Sequence, residues 1–219
     1  MADPAHTYVQ PHERASRLHE LGLREEWIFE AVRIGLAARK AVTAFHPPIY
    51  GGVSQWAETH RGLREQSVPF GWEADDGGNF STVIRADGRV AVTVATGTDR
   101  TGIPGYPEPM TKYPRGPMTH AAVERNVQLT IPFFATGVDE DDEEEVVPTT
   151  WYLLIHTRHD EVRFELSCPR HVADDSRIDS WSERIIIPPL DTDAVFGDHR
   201  DDDDPGSIGG PIDVPVEPL

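Results

Sequence analysis

The spacing of apolar residues divides this chain into a helical first third and a strand-rich remainder. Across residues 13–44 apolar positions recur at intervals of three and four, interrupted at "LGL", and so predict two consecutive helices. In the second, Trp27, Ala31, Ile34, Ala38 and Val42 draw one stripe. Glu25, Glu26 and Glu30 lie near its start and Arg39 and Lys40 near its end, the arrangement a helix dipole favours. Pro47 and Pro48 stop it, because proline lacks the amide that continues the ladder. A third helix is predicted over 54–66, with Ser54 as N-cap and Val53, Trp56, Ala57, His60 and Leu63 facing inward.

After residue 79 the period becomes two. "NFSTVI" and "RVAVTVA" flank Asp87-Gly88, a strong hairpin signal. In the second strand Val90, Val92 and Val94 share one face, and Ala91, Thr93 and Ala95 the other. Residues 96–117 are rich in Gly and Pro and read as a long ordered loop, followed by a short helix over 119–128 capped by Thr119. "LTIPFFA" reads as a strand. "WYLLIHTR" and "EVRFELS" read as a second hairpin around His159-Asp160, and "WSERIIIP" as a last short apolar segment. Val162, Phe164 and Leu166 alternate with Glu161, Arg163 and Glu165, which predicts a strand with one wet face. The fold class expected is α+β, with N-terminal helices followed by an antiparallel sheet built from hairpins and a disordered acidic C-terminal tail. Residues 1–12 are expected to be flexible. A single domain covers 13–190, helical over 13–67 and mainly β over 79–190, with an acidic insert at 139–145. Residues 191–219, rich in Asp, Pro and Gly, form the tail.

Composition changes this picture in two respects. The chain has 219 residues, enough for one sizeable core, yet only 38% are hydrophobic, so part of its length is expected to stay outside that core. The net charge of −18 is lopsided: residues 1–137 hold 14 Lys and Arg against 15 Asp and Glu, and residues 138–219 hold 6 against 23. Direct binding to a nucleic-acid backbone is disfavoured, since that contact depends on clustered cations, whereas a basic protein surface would be attracted. The run Asp139, Glu140, Asp141, Asp142, Glu143, Glu144 and Glu145 is the candidate partner-binding element, with a solvated loop as the plainer reading. The tail run Asp201–Asp204 has nothing around it to order it. Neither a membrane-spanning apolar run nor a secretory signal is visible, and the single Cys168 can form no internal disulfide, which together point to the cytoplasm.

Candidate chemistry centres on "VATGTDRTG", residues 94–102. It has the register of a cysteine phosphatase loop, but Val94 stands where the nucleophile would be. Pro104, Pro107 and Pro109 also forbid the helix that would follow Arg100. Catalysis by that route is rejected. Thr96, Gly97, Thr98, Asp99, Arg100, Thr101 and Gly102, with Thr111, Lys112 and Arg115, could instead line an anion or nucleotide pocket. The plainer alternative is a turn shaped by Gly97 and Gly102, with Asp99 bonding its own backbone. His156, His159 and Asp160 contain ligand types, but an offset of three puts the histidines on opposite faces of a strand. His12 and His19 could share a helix face, but two ligands alone do not hold a metal. His60 reads as a hydrogen-bonded interior residue. No metal site, no cofactor and no catalytic set is therefore expected.

Several segments together, "LGLREEWIFEAVRIGLAARK", "QWAETHRGLRE", "ATGTDRTG", "RFELSCP" and "IDSWSERIIIP", resemble an uncharacterised family of bacterial proteins often carried on mobile or integrated elements. The resemblance spans about residues 17–190 and implies a soluble bacterial protein without an assigned activity; no residue role is carried over from it. Two functions are expected from the residues. The first is a non-enzymatic accessory protein binding a macromolecule through its acidic C-terminal surface. The second is an anion- or nucleotide-binding domain or enzyme with its site on the loop 96–116.

Overall fold

The N-terminal helices meet at glycine. In a computed structural model that describes residues 4–130 and 146–192, α1 (Pro11–Glu20), α2 (Glu25–Lys40) and α3 (Tyr50–Ser67) follow one another. A Cβ added at Gly62 would lie 2.9 Å from the Cα of Ala31, and one at Gly35 would collide with the Thr59 hydroxyl. α2 and α3 therefore approach more closely than ordinary side chains allow.

That close approach rotates both predicted stripes. On α2 the buried residues are Trp27, Ile28, Ala31, Val32, Gly35 and Leu36, while Ile34, Ala38 and Val42 are only half-buried. The helix packs on two sides: Ile28, Val32 and Leu36 join the core under the sheet, and Ala31 and Gly35 meet α3. α3 begins at Tyr50, so Ser54 lies inside it and is no cap. Its buried positions are Gln55, Thr59, His60, Gly62, Leu63 and Ser67, whereas Val53, Trp56 and Ala57 face outward. Thr59 and Ser67 tolerate burial because each hydroxyl donates to the carbonyl four residues earlier, at 2.7 Å.

Among the described residues seven strands make one mixed sheet: β1 (His6–Tyr8), β2 (Glu73–Asp75), β3 (Thr82–Ile84), β4 (Val90–Thr96), β5 (Thr149–Thr157), β6 (Glu161–Val172) and β7 (Ile178–Asp191). Their order is β1-β7-β6-β5-β4-β3-β2. Both expected hairpins form, β3–β4 through a turn at Asp87-Gly88 and β5–β6 around His159-Asp160. The sheet is not antiparallel throughout, however: β4 runs parallel to β5, and β1 parallel to β7. The long excursion from β4 through the loop 97–116 and α4 (Pro117–Thr130) returns the chain in the same direction, as a parallel neighbour requires.

The two faces of the sheet carry separate cores. Val90, Val92, Val94, Trp151, Leu153, Ile155, Phe164, Leu166 and Ile185 pack beneath the N-terminal helices. On the other face Ala95, Tyr152, Leu154, Ile178 and Trp181 pack with Val123 of α4. Thr119 lies in the third position of α4 and is not its cap; it is buried and accepts a bond from the Tyr152 hydroxyl at 3.2 Å. Leu129 and Thr130 are helical, so the strand expected over "LTIPFFA" does not start there, and its remaining residues lie outside the described ones.

Within the expected flexible terminus, His6–Tyr8 pair with β7, and the Ala5 amide donates to Glu108 at 2.8 Å. At the other end β7 is a 14-residue strand through Asp191, and Thr192 is buried. Of the expected tail only residues 193–219 lie outside the description. Among the described residues no helix is long and apolar enough to cross a membrane.

Candidate functional site

The strand β6 does not have a wet face. Glu165 is 0% exposed and Arg184 of β7 1%, and Arg163 is buried as well. The Arg184 guanidinium donates to both Glu165 oxygens, at 2.9 and 2.7 Å, and also to the carbonyl of Ile103 at 3.0 Å. Ser167 donates to Glu165 at 2.7 Å, and so does the Gly102 amide. The first half of the loop 97–116 thus covers these polar side chains, and a paired, hydrogen-bonded charge can be sealed where a bare one could not. Gly102 is held at φ 73°, with the site of a Cβ 2.9 Å from the Arg163 Cβ, so only glycine fits easily.

The stretch 97–102 is therefore a turn clamped to the sheet. Thr101 donates its amide to Thr98 at 3.0 Å, Arg100 binds the Pro107 carbonyl at 3.0 Å, and Val94 lies fully buried in mid-strand. Gly97 pairs with Thr111 in a short antiparallel bridge, and the Lys112 amide donates to Thr96 at 2.8 Å. The amides of Thr111 and Arg115 bond to Ile178 and Ser176 at 3.0 and 2.7 Å. The loop's return leg is in this way fixed beside the ends of β4 and β5.

A cleft of about 520 Å³ opens there, within the size range of small-ligand sites. It lies at the C-terminal ends of two adjacent parallel strands, where diverging connections leave a crevice. Thr96, Lys112 and Arg115 line it. The other members of the predicted set, Gly97, Thr98, Asp99, Arg100, Thr101, Gly102 and Thr111, do not; they build the turn and bridge behind it.

Arg39, Gln55, Trp56, Tyr113, His156 and Thr157 complete the polar and aromatic lining and were not anticipated as a group. Sequence alone marks Arg39 as a helix-dipole partner and His156 as an ordinary strand residue. Only packing of α2 and α3 against the strand ends brings them together. A sequence signal existed only for Gly51-Gly52 in the first turn of α3: a Cβ at Gly52 would meet nothing within 4 Å, and Arg39 passes 3.8 Å from that of Gly51.

The electrostatics of the cleft run against those of the chain. Among the described residues no carboxylate lines it, although the sequence carries a net −18. Among the described residues no ion pair engages Arg39, Lys112 or Arg115. The Arg115 Nε is buried with no hydrogen-bond partner among the described residues. Lys112 and Arg115 stand 5.6 and 5.9 Å from the rings of Tyr113 and Tyr152. Burial lowers the His156 imidazole below its ordinary value, helped by the charges of Arg163 and Lys112 and opposed by the Gly97 carbonyl and Asp99. The arrangement can attract and neutralise an anion while presenting aromatic surface.

The remaining candidates are structural. His60 is buried, accepts the Val94 amide at 3.4 Å, and is pushed down to about 4 first by burial and then by Arg64 and Arg115. Burial pushes the Cys168 thiol up to about 11, so it is no ready nucleophile. His159 sits exposed in a turn, and among the described residues no three His, Cys, Asp or Glu side chains gather as a metal set. The run Asp139–Glu145 lies outside the described residues. Comparison with protein-family models, with curated proteins and with solved structures gives no match to this chain.

Proposed function

We propose that the protein is a binding domain for a small anionic ligand, held in the cleft at the ends of β4 and β5. The observation that supports this most is the set of three cations, Arg39, Lys112 and Arg115, that no described carboxylate answers in a strongly acidic chain. Many cations of this chain find a carboxylate, as Arg61 and Arg85 do, whereas these three gather around one cleft with none among the described residues, which suits an external anion. His156 and the Thr96 hydroxyl add hydrogen-bonding groups to the same lining. Pyrophosphate should raise the melting temperature by mass action, and the Lys112→Ala/Arg115→Ala double variant should abolish the rise. A flat response of the wild-type chain to millimolar phosphate, pyrophosphate and citrate would remove the proposal.

A second reading rests on charge distribution alone. The excess acid after residue 137 favours capture of a basic macromolecular partner, with Asp139–Glu145 as the lure. Replacing those residues by Asn and Gln should weaken binding to a basic test surface at low salt. Undiminished retention on an anion-exchange matrix would count against it.

A further inference from the structure

The cleft has two unlike walls. Pro48, Ile49, Val53 and Trp56 make an apolar side on and before α3, with Arg39 passing beside Gly51 at its edge, and Lys112, Arg115 and His156 make a polar one. An occupant that uses both is an anion with an apolar body. The shape of that body is suggested by Trp56. Its indole N–H donates to the Val94 carbonyl at 3.1 Å, and the ring meets His60 edge-on at 4.9 Å and 74°. These contacts fix the plane of the ring, yet 38% of the residue remains exposed beside the cations. The other four tryptophans, Trp27, Trp72, Trp151 and Trp181, are exposed by 6% or less. A flat, pre-oriented indole left open next to positive charge is a stacking platform for a planar ring joined to an anion. Tyr113, 58% exposed on the loop, offers a second aromatic surface to the same cleft.

Resting on the reading of this cleft as an anion site, we infer that its ligand class is the nucleoside phosphate, with the base against Trp56 and the phosphates held by Arg39, Lys112 and Arg115. A sugar phosphate would leave the fixed ring unused. An aliphatic carboxylate would take the apolar wall but carries a single charge for three cations.

Trp56 also supplies the readout, because the remaining indoles are shielded from solvent. Intrinsic fluorescence of the full chain is titrated with pyrophosphate, ribose 5-phosphate, adenosine diphosphate and octanoate. Adenosine diphosphate should quench the emission and bind at least about tenfold more tightly than pyrophosphate, as one stacked base implies. Ribose 5-phosphate should not quench. Affinities of the Trp56 variants, which lack this reporter, are read by calorimetry: Trp56→Ala should bring the ratio of adenosine diphosphate to pyrophosphate affinity down towards one. Trp56→Phe, which keeps a ring, should retain part of the advantage and stands in if the alanine variant does not fold. Equal affinities for adenosine diphosphate and pyrophosphate, or tighter binding of octanoate, would overturn the nucleotide assignment and leave the anion site standing. No response to any phosphate would overturn both.

Discussion

Two charged regions flank the loop 97–116, and they treat charge in opposite ways. At one end Glu165 and Arg184 are sealed, and both carboxylate oxygens and the guanidinium are engaged by each other, by Ser167 and by the backbone of Gly102 and Ile103. At the other end Arg39, Lys112 and Arg115 border an open cleft with no described counter-ion. A buried ion pair satisfied by its own protein holds structure together and has nothing left to offer a ligand. Cations that the protein leaves unanswered retain their binding capacity. The same loop thus serves as a lid over a structural pair and as a wall of the candidate site.

The contrast can be tested by removing charge from each region. Glu165→Gln strands the Arg184 cation in the interior and should destabilise the fold by about 3–5 kcal/mol, read as a shift of the urea midpoint. A loss below about 1 kcal/mol would mean that water reaches the pair, and the contrast would fail. Acid should act through His60, buried between α3 and β4. Its folded value is depressed to about 4 from 6.5, so between those values the unfolded chain binds a proton that the folded chain refuses. Its contribution is complete above pH 6.5 and is lost as pH falls towards 4, by about 3 kcal/mol in all. His60→Gln should flatten that part of the stability curve relative to the wild type. Gly102→Ala forces a side chain into a left-handed backbone against Arg163 and should cost about 1–3 kcal/mol while leaving pyrophosphate affinity within about twofold. Lys112→Ala should have the smallest effect on unfolding, within about 0.5 kcal/mol, and yet weaken pyrophosphate binding. If Gly102→Ala abolished binding as well, the two ends of the loop would be one unit and not two.

Legibility followed the range of the interactions. The helices at 13–44, the Asp87-Gly88 hairpin, the opposed faces of β4 and the long loop all depend on neighbours a few residues away, and their periodicities announce them. The helix α3 forms with His60 and Leu63 buried as expected, but Val53, Trp56 and Ala57 lie outside its buried face, because hydrophobic count cannot foresee Gln55, Thr59 and Gly62 buried by close helix contact. Glu165 was read as wet for a related reason: alternation marks which side of a strand a residue faces, not what covers that side. Of the predicted pocket, Thr96, Lys112 and Arg115 reach the cleft, because the strand end and the return leg were recognised as neighbours of one loop.

What the sequence determined by itself was the inventory of local elements, the α+β class and the confinement of excess acid to residues after 137, since each is a property of short segments or of simple counts. Tertiary structure alone decided that β4 and β5 run parallel, that Glu165 meets Arg184, and that Arg39 and Trp56 face Lys112 across one opening. These outcomes depend on which surfaces meet after the chain has travelled more than fifty residues between β4 and β5 and folded its helices onto the sheet. Periodicity carries no information over that distance.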